Sequence, residues 1–163
     1  MSIWLPVSLA SALFLQAAAA PSDSRSAFSG TWRLDASRSE SAASNDSAEP
    51  LFVEITQTDR ELTIVTTQGA RHNRVVHGFV ASPATPFSID GSAGRAYWDG
   101  TALVTEGTRL VQGQTVASRE TRRLNRDQSE MTVEVMVIVQ HGYEFRGAKN
   151  YGTGRDVYMR VTK

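Results

Sequence analysis

The sequence predicts an all-β protein, an antiparallel meander of about eight to ten short strands that closes into a barrel. Apolar residues alternate with period two along most of the chain, turn residues separate the segments, and no stretch has the periodicity of a long helix. Parallel strands need long crossover connections, so consecutive strands are expected to pair antiparallel. A barrel is favoured over a sandwich because closure removes the exposed edges of so many strands.

Length and composition exclude several classes of function. The chain has 163 residues, 17 Lys and Arg, 17 Asp and Glu, and no Cys. This length suits a single domain. Zero formal net charge lacks the basic footprint of a nucleic-acid-binding protein, so no nucleic-acid partner is expected. The absence of Cys excludes disulfides, thiol nucleophiles and thiolate metal sites, and we expect no cofactor.

The first 20 residues form an uncharged, apolar segment that ends in Ala17–Ala20. An apolar run followed by small residues is typical of a secretory signal peptide. We therefore expect a secreted or periplasmic protein with a tether over residues 21–27 and one domain over residues 28–163. No stable membrane span would remain after processing. The alternative is an uncleaved anchor, which the short run and Pro6 disfavour.

The first half of the domain predicts short strands between turn residues. The expected strands are residues 30–34, 51–56, 61–67, 74–80, 87–89 and 95–98. Asp99-Gly100, after the last of these, is a dipeptide typical of a hairpin. Residues 37–50 are rich in Ser and predict either a long loop or a short helix.

The second half predicts longer strands. Residues 102–110 and 115–124 form a hairpin around Gly113, and residues 155–161 form the closing strand. The clearest strand runs from Met131 to Val139, because its odd-numbered positions are all Met or Val. Its other face begins with charged and polar residues and becomes apolar at two positions, where another element is expected to pack. Those positions are Met136 and Ile138.

Residues 28–34, Phe-Ser-Gly-Thr-Trp-Arg-Leu, resemble the opening strand of lipocalin-like proteins, which carry Gly-x-Trp near the mature N-terminus. Gly30 and Trp32 occupy those places. The resemblance implies that Trp32 closes one end of the barrel beneath an Arg from the last strand. Arg160 matches that Arg best, and Arg155 is the second candidate.

Residues 96–135 resemble a group of small secreted bacterial proteins with lipocalin-like, calycin-type barrels. The segments that carry this resemblance include Tyr97-Trp98-Asp99-Gly100, Arg122-Arg123-Leu124 and Met131-Thr132-Val133. The chain departs from classical lipocalins because it lacks Cys and a clear C-terminal helix. The resemblance implies a fold more than an activity, because the group has no well-defined function.

No catalytic constellation is found, so we do not expect an enzyme. Gly91-Ser92-Ala93-Gly94 lacks the spacing of a nucleophile elbow. His72 and His77 fall on opposite faces of a strand and His141 is remote in sequence, so no metal site is expected.

Charged residues on the second-half strands predict structural roles. We expect Glu130 and Glu134 to pair across strands with arginines of the preceding strand. Four arginines fall within eight residues of that preceding strand and the turn after it. Because side chains alternate along a strand, these arginines lie on two different faces. The pattern therefore predicts a solvated strand face rather than an anion-binding site. They are Arg119, Arg122, Arg123 and Arg126.

Aromatic residues near predicted turns are the candidates for ligand binding. They are Phe79, Phe87, Tyr97, Trp98, Tyr143 and Phe145. The sequence thus favours an exported lipocalin-like binding module for a small, largely apolar ligand, with no catalysis of its own. The alternative is a structural or interaction barrel with a filled interior, in which Met136, Ile138 and Phe52 mark an apolar strip for a partner or a homodimer. A pocket of at least ~300 Å³ separates the two hypotheses.

Overall fold

Nine strands form one closed barrel in the part of the chain that the computed structural model describes. These residues are 27–41, 49–81, 94–111, 114–140 and 150–162. The strands are β1 (Gly30–Leu34), β2 (Leu51–Gln57), β3 (Glu61–Gln68), β4 (Arg71–Phe79), β5 (Arg95–Asp99), β6 (Ala102–Val111), β7 (Gln114–Leu124), β8 (Glu130–Gln140) and β9 (Asn150–Arg160). No helix within these ranges has the length and apolar character needed to cross a membrane.

The predicted all-β class and barrel closure are confirmed. Strands follow one another around the barrel in chain order, and β1 pairs with β9 to complete the wall. The strand expected over residues 87–89 lies outside the described residues, as do the leader and residues 42–48 of the Ser-rich segment. At the start of that segment, Ala36–Arg38 form one short 3₁₀ turn.

One pair of neighbours departs from the expected antiparallel order. β4 and β5 run parallel and share only two residue pairs, Gly78 with Arg95 and Phe79 with Ala96. The connection between them spans 15 residues (80–94), which is long enough for the chain to return and start β5 in the same direction as β4. All other neighbouring strands among the described residues pair antiparallel.

The alternation of β8 sets which side chains face inward. Met131 and Val133 are buried in the core, as the apolar odd-numbered face predicts. On the outer face, Arg123 of β7 donates to Glu134 over 2.7 Å, which confirms the expected cross-strand pair. Glu130 pairs instead with Arg38 of the 3₁₀ turn, at 2.8 Å, because this turn follows β1 and lies beside β9.

Trp32 and Arg160 lie together at one end of the barrel. The Trp32 side chain is fully buried and its Nε1 donates to the Phe28 carbonyl oxygen at 2.9 Å. The Arg160 guanidinium carbon lies 4.1 Å from the centre of the indole ring. This guanidinium also donates to three main-chain carbonyl groups, those of Ala27, Ser29 and Gln128.

Gly30 makes this close approach of Arg160 possible. Its φ of +134° is a conformation that residues with a Cβ rarely adopt. A Cβ at this position would also lie 2.9 Å from Arg160 Nη1. Arg155, the second candidate for the residue above Trp32, is instead paired in register with Glu134 of β8.

Candidate functional site

A cavity of about 410 Å³ lies inside the barrel, between β2, β3 and β4 on one side and β6 to β9 on the other. This volume falls in the range of small-molecule sites, which begins near ~300 Å³. Part of its wall is apolar and comes from inward-facing positions of four strands. These residues are Val53, Ile64, Val75, Met131, Val133 and Val135.

Another part of the wall carries charged side chains on β7. Arg122 is 4% exposed and lies in register between Leu103 of β6 and Val133 of β8, which are both core residues. Its Nη1 donates to Thr105 Oγ1 at 2.7 Å, and its Nη2 forms an ion pair with Glu120. The expectation of a solvated arginine face is therefore wrong for Arg122, because barrel closure places this face of β7 inside.

β9 adds a second carboxylate to the cavity. Asp156 lies in register with Val133 and is 5% exposed. The backbone runs from β1 along β9, with the Asp35 and Glu40 amides donating to β9 carbonyl groups. This path brings the Ser41 amide within 3.0 Å of Asp156 Oδ1, to which it donates.

Tyr158 of β9 also lines the cavity. Burial raises the pKa of its hydroxyl, and the negative charges of Asp156 and Glu120 raise it further, whereas Arg122 opposes the shift. The Tyr158 hydroxyl is therefore protonated throughout the physiological range.

His77 of β4 lines the opposite wall, next to Gly94. A Cβ at position 94 would lie 2.7 Å from His77 Nδ1, so the glycine allows the ring to fit there. Nδ1 is buried and has no hydrogen-bond partner among the described residues. Burial and then the charge of Arg122 lower the pKa of His77, so its imidazole is neutral at pH 7. His72 lies on the exposed side of the sheet, 3.1 Å from Thr67 Oγ1.

The described members of the predicted aromatic binding site, Phe79, Tyr97 and Trp98, are not among the residues that line this cavity. Phe79 and Trp98 stack at 6.3 Å, and Phe28 lies 5.7 Å from Trp98, so these rings pack against the core. Tyr97 precedes Trp98 on β5 and points to the opposite face, because side chains alternate along a strand. The other three candidates, Phe87, Tyr143 and Phe145, lie outside the described residues.

Tyr97 belongs to a buried polar cluster around Glu106, a residue that also lines the cavity. Its hydroxyl donates to the buried Glu106 carboxylate at 2.9 Å, and Arg95 and Arg119 each donate to the same carboxylate at 2.7 Å. Burial alone would raise the pKa of Glu106, but the hydrogen bonds from Arg95, Arg119 and Tyr97 together lower it. Glu106 is thus ionised and fully engaged in a structural role.

Comparison with known proteins relates the chain to solved structures only. No protein-family model and no curated protein sequence matches it. The structure is similar to apo lipid binding protein 8 of Caenorhabditis elegans, with 10% identity, a TM-score of 0.51, and coverage of 83% of this chain and 96% of that one. The fold is a lipocalin-like, calycin-type β-barrel.

Two further solved structures match at lower TM-scores. Wild-type fluorescent protein UnaG shares 16% identity, with a TM-score of 0.45 over 82% of this chain and 97% of that one. The REP1-NXSQ fatty acid transporter shares 12% identity, with a TM-score of 0.41 over 83% of this chain and 96% of that one. At such identities the likeness concerns the fold alone.

Proposed function

We propose that the protein is an exported binding module for a small, largely apolar ligand held inside the barrel, with no catalysis of its own. The observation that carries this proposal is the interior cavity of about 410 Å³ with its apolar wall. The alternative with a filled interior requires a packed barrel, so a cavity above ~300 Å³ favours binding. One structural neighbour is itself named a lipid binding protein, and we propose a comparable use here.

The physical basis of binding is the wall of valine, isoleucine and methionine side chains. Transfer of apolar ligand surface from water to such a wall contributes about 25 cal/mol per Å². The Trp32 end of the barrel is filled by core residues, so the ligand is closed off from water there.

The apolar strip of the alternative hypothesis lacks one of its members. Ile138 is 7% exposed, whereas Met136 on the same strand is exposed. Phe52 lies on β2, which β1 and β9 separate from β8. A homodimer through this strip stays a prediction.

Export is supported by the apolar leader that ends in Ala17–Ala20. If the leader is cleaved, the mature chain begins between Ala19 and Ser22 in a secreted or periplasmic fraction. Intact-mass spectrometry measures this start directly. A chain that retains Met1 and stays in the membrane fraction would overturn the export proposal.

Two measurements test ligand binding. Purified protein is extracted with organic solvent and the extract is examined by mass spectrometry, and thermal shifts are recorded across fatty acids, isoprenoids, alcohols and amines. A ligand present at a hundredfold excess over its Kd should stabilise the fold by about 2.7 kcal/mol. Empty extracts together with no thermal shift would contradict the proposal.

A matched pair of variants locates the binding site. Val135→Phe adds volume to the cavity wall, so it should abolish the ligand-induced shift while the barrel still folds. Met136→Phe adds a similar ring at the next position of β8, which faces outward and is exposed. This control should keep the shift, and equal losses in both variants would place the ligand elsewhere.

A further inference from the structure

The charges on the inner wall do not cancel. Glu106, Glu120 and Asp156 are the carboxylates that line the cavity, and Arg109 and Arg122 are the arginines of the same wall. Glu106 is already paired with Arg95 and Arg119. Arg122 is already engaged with Glu120 and Thr105. Asp156 accepts one hydrogen bond, from the Ser41 amide, and no cation of the described ranges forms an ion pair with it. Among the described residues, Asp156 therefore has no ion-pair partner, and its second carboxylate oxygen accepts no hydrogen bond.

Arg109 lies too far away to balance this charge. It is exposed on β6, four residues beyond Thr105, the register partner of Glu120. The register row of Arg109 reaches β9 at Asn150, which is six residues, or about 20 Å of strand, from Asp156. Arg109 also lines the cavity, but Arg122 is the arginine in the register row of Asp156, and Glu120 already engages it.

His77 provides a second, independent indication of the kind of ligand group that this cavity binds. Its side chain is 9% exposed, lines the cavity, and leaves Nδ1 without a hydrogen-bond partner in the described part of the chain. His77, Glu120, Arg122 and Tyr158 all line the same cavity as Asp156. A neutral imidazole offers one acceptor nitrogen. Both Asp156 and His77 thus present hydrogen-bond acceptors to the cavity, and a ligand group that donates hydrogen bonds would satisfy them.

We propose that the ligand of this cavity carries a protonated amine at its polar end, which donates to Asp156 while its apolar body lies against the valine wall. This inference rests on the binding function proposed above. A charge-assisted hydrogen bond to a carboxylate is among the strongest available to a ligand. A carboxylate head group would meet the charge of Asp156 with no unpaired guanidinium beside it, and would be repelled.

The first test compares three ligands that share one alkyl chain. Octylamine, octanol and octanoate are titrated into the full-length or naturally processed protein at pH 7 by isothermal calorimetry. We expect octylamine to bind about tenfold or more tightly than octanoate, with octanol between them. Octanoate binding as tightly as octylamine, or more tightly, would overturn the inference.

Two variants assign the preference to named groups. Asp156→Asn keeps an oxygen for the Ser41 amide but removes the charge, so it should reduce octylamine affinity by about tenfold. Glu134→Gln is the matched control, because it removes a carboxylate on the outer face of β8 and should leave all three affinities unchanged. Equal effects of the two variants would overturn the inference.

Glu120→Gln provides a test that does not depend on the folding of the Asp156 variant. It releases Arg122 from its ion pair, so octanoate affinity should rise and the preference for the amine should narrow. An unchanged ratio of the two affinities would contradict the charge balance described above.

The outcomes separate this inference from the proposed function. Binding of the three ligands without a preference for the amine refutes the inference alone and leaves the binding module intact. If none of the three binds, the head group of the molecule extracted from purified protein decides, since an amine supports the inference and a carboxylic acid refutes it. An empty extract without any thermal shift refutes both.

Discussion

Trp32→Ala removes the ring that fills the end of the barrel, and its effect on stability follows from the contacts of that ring. The indole is fully buried, so truncation leaves a cavity that typically costs about 3–5 kcal/mol. The hydrogen bond to the Phe28 carbonyl oxygen and the contact with Arg160 are lost as well. We therefore expect a loss near the upper end of that range, about 4–5 kcal/mol.

Such a loss is a large fraction of the free energy of unfolding of a typical domain, which is about 5–15 kcal/mol. At about 3 °C per kcal/mol for a domain of this size, the Tm should fall by about 12–15 °C. Thermal unfolding followed by circular dichroism measures this shift without relying on the fluorescence of the removed indole. Trp32→Phe keeps most of the ring but loses the Nε1 donor, so its Tm should lie between those of the parent and Trp32→Ala.

A double-mutant cycle isolates the contact between the ring and the guanidinium. Arg160→Met is measured in the parent and in the Trp32→Ala background, and the two effects should differ by about 0.5–1 kcal/mol. A Tm of Trp32→Ala within 3 °C of the parent, or effects that simply add, would refute the idea that this pair closes the barrel.

Three further substitutions probe other parts of the fold. Gly30→Ala should cost about 1–3 kcal/mol in chemical denaturation because of its positive φ, whereas Gly152→Ala, with open space around it, should cost far less. Because burial lowers the pKa of His77 in the folded state, the unfolded chain binds a proton first as the pH falls below about 6.5, and stability falls with it. His77→Gln should flatten this slope, as measured by urea denaturation at several pH values. Glu106→Gln removes the charge of the carboxylate that accepts from two partly exposed arginines and should cost about 2–3 kcal/mol. Glu134→Gln on the surface should cost at most about 0.5 kcal/mol.

Local patterns were sufficient to predict the class and most strands of this protein. Period-two alternation identifies the inward face of β8, and Asp99-Gly100 marks the turn between β5 and β6, where Gly100 has a φ of +59°. These features depend on neighbours in sequence. The parallel contact between β4 and β5 depends on how the barrel closes, so no local pattern predicts it.

The cavity was harder to predict because both faces of β7 carry charged residues. Alternation separates Arg122 from Arg119 and Arg123 but does not tell which face is inside. The polar turn after Leu124 contains the missing signal, since pairing Leu124 with Met131 places Arg122 opposite Val133 on the apolar face of β8. Asp156 and His77 come from distant strands, so only the closed barrel brings them to the same chamber.

The short contact between β4 and β5 also determines where the barrel wall opens most easily. Among the described residues, β4 shares eight residue pairs with β3 but only two with β5. Regions with few contacts open at the lowest free energy, so the amide protons of β4 should exchange with solvent before those of β7 or β8. Val75, Val76 and His77 of β4 line the cavity beside this seam. A transient separation of the two strands there would admit a molecule sideways through the wall, without displacing the core residues at the Trp32 end of the barrel.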